Sequence, residues 1–336
     1  MWLSALVALA SLACATGPSG FEPVHFAAAE RPAAAVSYPN WPVPPDQAMV
    51  LMKSRGYDLR SAEPTQAGTS GAEKIGVWFE ALGAEIQFKV KPVPRTLDGI
   101  NNSPRRELAA YAVQTLFLDP EDYVVPVSAA RCPPLKRWRV LHGDVKSQLP
   151  GGSCLLVVAS LWLQDVVVPE VVYDHDRFLV DPVYARYLAD FNLLTHLIDH
   201  RDGRSGNFLV SSDDDHRQVF AIDNGISFGP IWPFYNWFVP NWNVLRVAAL
   251  RADSVDRLRE IRRENLDSLL VVQELRDDGT GHYVDVKPGP PLDERGGAVS
   301  RDGVVQFGLK AGEIDDLWFR IRSVVERVDQ GEIPVF

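Results

Sequence analysis

The sequence predicts an α+β chain in two parts, a small β-rich N-terminal half and a larger, mostly helical C-terminal half. Three observations predict it. Residues 75–90 alternate apolar with other side chains in two runs, Ile75/Val77/Phe79 and Ile86/Phe88/Val90, with Gly83 between them. Residues 184–198 place Tyr184, Tyr187, Leu188, Phe191, Leu194, Leu197 and Ile198 at helical spacing. Residues 314–328 repeat that spacing through Ile314, Leu317, Trp318, Ile321, Val325 and Val328. At 336 residues and 46% hydrophobic content, the chain has enough apolar material for one large domain or two lobes.

The elements follow in order. Residues 1–15, "MWLSALVALASLACA", read as the apolar part of a secretory signal closing on the A-x-A-like Ala13-Cys14-Ala15. "SLAC" also resembles a lipoprotein signal with Cys14 lipidated, the one expected membrane tether; export follows from either version. Residues 16–45, rich in Ala, Pro, Ser and Gly, read as a linker. The folded part is expected over 46–336, dividing near 165/166. A short helix begins with Asp46 near its cap. A hairpin over 68–92 turns at Gly83. A helix starts at Ser103-Pro104, with Ser103 as cap and Pro104 in the first turn. "DYVVPV" (122–127) and "CLLVVASLWL" (154–163) read as apolar strands. A long helix starts at Asp181-Pro182. "NFLVSS" and "QVFAIDNG" are short strands around the solvated turn Asp213-Asp214-Asp215. Past "PNW" (240–242) the chain is expected to return to helices, and the Trp-rich stretch before it to join the core or cover it.

Charge and cysteines exclude some functions. A net charge of −10 argues against binding nucleic-acid phosphates, while leaving room for a small anionic ligand in a locally basic site. No C-x-x-C pair and no H-E-x-x-H appears, which weighs against a structural zinc site or a zincin. Cys132 and Cys154 fit either one disulfide or two buried thiols.

The chemistry-bearing stretch is "HLIDHRDGRSGNFLV", residues 196–210. His200-Arg201-Asp202, four residues and then Asn207 match H-R-D-x-x-x-x-N, a pattern that aims a carboxylate at an acceptor hydroxyl and an amide oxygen at a metal. Asp223 follows in "AIDNGISFG", at the end of the second of two short strands, which brings it back beside Asn207. This segment resembles the D-N-G of type II phosphatidylinositol 4-kinases, and more closely the D-N-G-x-x-F-G of the Golgi secretory-pathway kinases. "VKPVPRT" resembles the strand of those families whose lysine contacts ATP phosphates, which picks Lys91. Lys89 lies on the same strand face, so either lysine fits. "RRELAAYAV" resembles their helix carrying the glutamate that pairs with this lysine, which picks Glu107. "GTSGAEK", with Gly68 and Gly71, falls where a phosphate-covering loop belongs.

The resemblance spans about residues 68–230 and matches no motif in 250–336. It implies a two-lobed protein-kinase-like fold and an atypical kinase. Such an enzyme transfers the γ-phosphoryl of ATP to a protein, lipid or sugar hydroxyl. Mg²⁺ or Mn²⁺ would be held by Asp223 and Asn207. The catalytic carboxylate is Asp202 or Asp199; Asp202 keeps the catalytic-loop distance to Asn207, and Asp199 fits the Golgi family's spacing after an apolar helix. Two rivals share these residues, nucleotidyl transfer and nucleotide binding without turnover; a third is an exported, non-nucleotide binding protein in which the motif match is chance.

Overall fold

A computed structural model describes residues 37–54, 57–65, 71–99, 103–229 and 242–336. The expected signal, most of the linker, Gly68 and most of the Trp-rich stretch lie outside these residues. The fold is mixed α+β, and its sheets are antiparallel throughout.

The first half contains α1 (Pro45–Lys53), β1 (Tyr57–Pro64), β2 (Glu73–Phe79), β3 (Ala84–Pro92), α2 (Pro104–Gln114), β4 (Ser128–Arg131), α3 (Leu135–His142) and β5 (Val157–Leu161). Its strands form one sheet in the order β1-β2-β3-β5-β4. The expected hairpin is β2–β3, with Gly83 at φ +59° in its turn, a conformation that glycine adopts at little cost. Packing starts earlier than expected. Asn40 is buried, and its Nδ2 donates to the carbonyls of Gln164 and Asp165, both at 3.0 Å. Trp41 meets Phe220 edge-on at 5.8 Å.

Two local expectations change. "DYVVPV" is no strand. Val124, Val125 and Val127 are fully buried, and a side chain does the work of a ladder: Gln114 Oε1 accepts from the amides of Val124 and Val125, and Gln114 Nε2 donates to the Val125 carbonyl. The strand begins just beyond Pro126, which has no amide to donate. Ser103 does occupy the position before α2, but its hydroxyl donates to Asp98 Oδ1 at 2.6 Å instead of capping the helix.

The second half contains β6 (Val166–Val167), α4 (His175–Val180), α5 (Pro182–Leu197), β7 (Phe208–Ser211) and β8 (Val219–Ala221). Then follow α6 (Ala252–Glu260), a 3-10 stretch over Arg263–Val271, β9 (Gln273–Asp277), β10 (Tyr283–Val286), β11 (Gly296–Arg301), β12 (Val304–Lys310) and α7 (Ala311–Asp329). Asp181 caps α5 as expected, its Oδ1 accepting from the amides of Val183 and Tyr184 at 3.1 and 3.0 Å. The expected return to helices past residue 242 is only partly right. A four-stranded sheet, β10-β9-β12-β11, stands between α6 and α7. β9, β10 and β11 are short and carry charged or small residues, so no apolar alternation marks them; β12 does alternate, burying Val305, Phe307 and Leu309.

This late sheet packs on the first half. Leu275, Val305 and Phe307 share a core with Leu108, Leu156 and Val158. Gln273 reaches the outer edge of β4: Oε1 accepts from the Ala130 amide at 2.6 Å and Nε2 donates to the Ala130 carbonyl at 3.0 Å. Next to it Cys132 and Cys154 form a disulfide across the loop that carries α3. The Ser153 amide donates to the Gly281 carbonyl at 2.7 Å, stitching the β9–β10 turn to the same place.

Candidate nucleotide and metal site

A cleft of about 520 Å³ opens between the five-stranded sheet and the β6-β7-β8 sheet. That volume suits a small ligand. Its wall includes Lys89, Glu107, Trp162, Leu209, Ile222 and Asp223. Charged and apolar side chains share this wall, with Lys89 beside Asp223.

Asp223 is the centre of the charged groups. It leaves β8 in the left-handed region, φ +70° and ψ +62°, a conformation that aspartate tolerates better than most residues. Lys91 Nζ lies 2.5 Å from Asp223 Oδ1, and Lys89 Nζ lies 3.7 Å from Oδ2. The two-residue period of β3 brings both lysines to one carboxylate. Burial alone would raise the Asp223 pKa, but the two ammonium groups hold it down at about 2. The lysines differ. Burial works against the charge on Lys91, yet Asp223 and Glu107 outweigh it and its pKa rises. For Lys89 burial wins, aided by the Lys91 charge, and its pKa falls.

Glu107, in the first turns of α2, is buried beside this pair. Burial and the nearby Asp223 charge raise its pKa, against the pull of Lys91, Lys89 and the Asn224 backbone amide, which donates to it. Gly71, at φ +67°, sits between β1 and β2. Because Glu73 pairs with Val90, this connection lies at the Lys91 end of the sheet. Gly68, on the same connection, lies outside the described residues.

The β7–β8 pairing joins the two motifs. Phe208 faces Ala221, and the Ile222 amide donates to the Asn207 carbonyl at 2.9 Å, so Asn207 lies next to Asp223 in the ladder. Asn207 Nδ2 donates to the Asp202 carbonyl at 3.0 Å, which leaves the Oδ1 lone pairs for another partner. Asp202 is buried and gripped by the Arg204 fork through Nε and Nη2, both at 2.7 Å. It lies near enough to Lys91 to help keep that ammonium charged.

Asp199 has different company. Both its oxygens accept from Arg201 Nε at 3.0 Å, Asn243 Nδ2 donates to Oδ1 at 2.7 Å, and Arg320 of α7 lies 3.3 Å from Oδ2. Its acceptor capacity is taken up within the protein. The partner of Asp202 was missed from sequence, although the D-x-R spacing of Asp202 and Arg204 places the guanidinium within reach of the carboxylate.

Asp223 and Asn207 offer hard oxygens, the donors that Mg²⁺ and Mn²⁺ prefer. Among the described residues no group of three or more His, Cys, Asp or Glu side chains could hold a metal. A cation here would therefore draw further oxygens from water or a ligand, as Mg²⁺ commonly does from phosphates. No protein-family model matches the chain, and no curated protein matches it.

Proposed function

We propose that the protein is an atypical kinase on a two-lobed protein-kinase-like fold, transferring the γ-phosphoryl of ATP to a hydroxyl acceptor. The observation that carries the reading is the convergence on Asp223. Two lysines of one strand, a buried helix glutamate and an H-R-D-x-x-x-x-N asparagine, drawn from three separate elements, gather around one carboxylate on the wall of a ligand-sized cleft. Scattered surface charges would not assemble this way.

In this reading ATP lies in the cleft with its base toward Trp162, Leu209 and Ile222. Lys91 and Lys89 hold phosphate oxygens, and Glu107 keeps Lys91 oriented. Asn207 and Asp223 hold Mg²⁺ or Mn²⁺, which would neutralise phosphate charge. Asp202 orients the acceptor hydroxyl and receives its proton. Asp199, saturated by Arg201, Asn243 and Arg320, shapes the loop. The rate gain comes from positioning and preset charges. The Cys132–Cys154 disulfide supports the exported location, because such bonds persist in oxidising compartments.

The test is thermal unfolding with ATP and Mg²⁺ or Mn²⁺. A ligand at about a hundred times its dissociation constant stabilises by roughly 2.7 kcal/mol. Wild type should gain stability only with nucleotide and metal together, and Asp223→Ala should abolish the gain. Lys91→Ala and Lys89→Ala run in parallel show which lysine carries the phosphate contact. No shift at millimolar ATP with either metal, in folded protein, would overturn the reading. The mass added to an acceptor then separates phosphoryl from nucleotidyl transfer.

A further inference from the structure

Helix α2 begins with two arginines that its own dipole disfavours. Arg105 and Arg106 stand in its first turn, where the helix carries partial positive charge. Both are nonetheless buried. Their partner is a single carboxylate far along the chain, Glu313 in the first turn of α7. Arg105 Nη1 lies 2.5 Å from Glu313 Oε2, Arg105 Nη2 lies 3.0 Å from Oε1, and Arg106 Nη2 lies 3.0 Å from Oε1. The Lys310 amide donates to Oε2 at 2.8 Å. Four donors therefore fill one buried carboxylate. Asp98 takes the remaining Arg105 Nε at 2.7 Å.

The segment that starts at Asp223 ends on the same cluster. A Cβ on Gly229 would come 2.6 Å from Arg106 Nη2 and 3.4 Å from Glu313 Oε1, so only glycine fits there without moving the guanidinium. The segment also touches α2 through the Ser103 amide, which donates to the Gly225 carbonyl at 3.2 Å. It reaches the H-R-D loop through the Phe228 amide, which donates to the Ile198 carbonyl at 2.6 Å.

Two turns along α7 from Glu313, on the same face, stands Arg320. Its Nη1 donates to the Leu197 carbonyl at 3.2 Å, and its Nη2 lies 3.3 Å from Asp199 Oδ2. One rigid helix thus grips α2 at one point and the start of the H-R-D loop at another. We infer that α7 is a strut that fixes the spacing between Glu107 and the Asp202–Asn207 loop, with Glu313 and Arg320 as positioning residues for nucleotide and metal. The inference rests on the kinase reading. It adds a role for the region past residue 250, where no motif pointed.

The test uses the full chain and a fluorescent ATP analogue with Mn²⁺. Wild type, Glu313→Gln, Gly229→Ala and Glu326→Gln are titrated well below their melting temperatures, where lost stability alone leaves the dissociation constant of the folded protein unchanged. Glu313→Gln removes the charge that both arginines share. Gly229→Ala displaces Arg106 while leaving every residue of α7 unchanged, and serves if the first variant fails to fold. Both should weaken Mn²⁺-dependent binding about tenfold, the low end of what losing a supporting partner costs a ligated site. Glu326, exposed on the same helix, should change nothing when replaced. Hydrogen exchange in residues 104–114 should quicken in the first two variants and stay unchanged in the third. A wild type that does not bind the analogue would defeat the kinase reading itself. A wild type that binds, with Glu313→Gln and Gly229→Ala binding equally well, would overturn the strut alone.

Discussion

His200 stands between the two candidate carboxylates, and it is fully buried. Its ring lies against Phe208, with centroids 5.5 Å apart. Burial drives its pKa down from 6.5 to about 4, although Asp202, Asp223 and Asp199 all pull upward. A neutral, apolar-packed imidazole braces the loop and does not carry protons at neutral pH. The sign of its pH effect follows. Below pH 6.5 the unfolded chain takes up a proton that the folded chain refuses until about pH 4, so this group costs stability as pH falls through that window. Asp190, raised by burial to about 6, acts the other way over part of the same window. The informative quantity is therefore a difference. The gap in unfolding free energy between wild type and His200→Gln should shrink by about 3 kcal/mol from pH 7 to pH 4. A constant gap, read from urea melts at the two pH values, would mean that His200 titrates normally. The local part of the site was legible at this scale because the spacing from His200 to Asn207 is a short-range property of one loop. Which lysine meets Asp223 was not legible, because period-two alternation sends both Lys89 and Lys91 to the same face.

Elements with strong periodicity were readable, and those held by single side chains were not. The helices α5 and α7 and the β2–β3 hairpin each bury a continuous face, so their apolar pattern announces them. The strand β1 alternates only weakly, and β9 to β11 expose charged or small residues, so nothing in their composition distinguishes them from loops. The stretch 122–127 misled for the opposite reason: it is apolar and extended, but the Gln114 side chain replaces its strand partner. The disulfide belongs to this scale too. It links the residue after β4 to the approach to β5 across 22 positions of sequence. Closing a loop of that size should contribute about 3 kcal/mol by restricting the unfolded chain. Cys132→Ser with Cys154→Ser, or reduction in denaturant followed by refolding under reductant, should lower the urea midpoint accordingly. An unchanged midpoint would mean the thiols are unlinked in solution, which would also remove a support for export.

At the scale of the whole molecule, chain order and spatial order part company. The sequence suggested a β-rich half followed by a helical half. The protein instead returns its residues 273–310 to the first half as a second sheet, and then sends α7 back across both. No local pattern records such a return; it is encoded in long-range complementarity, such as Leu108 meeting Phe307 and Arg105 meeting Glu313. That return has a consequence for how molecules meet one another. The strand β4 is the last in its sheet, with an outward row of backbone groups able to recruit a strand from another chain. The Gln273 amide occupies Ala130 on that row, donating and accepting as a neighbouring strand would, while offering no further row of its own. Gln273→Ala should therefore lower the melting temperature, because it leaves the buried Ala130 amide and carbonyl without their partner, and promote self-association at high concentration, visible as a growing scattering signal. A variant that stays monodisperse would mean that the rest of the second sheet blocks the edge unaided.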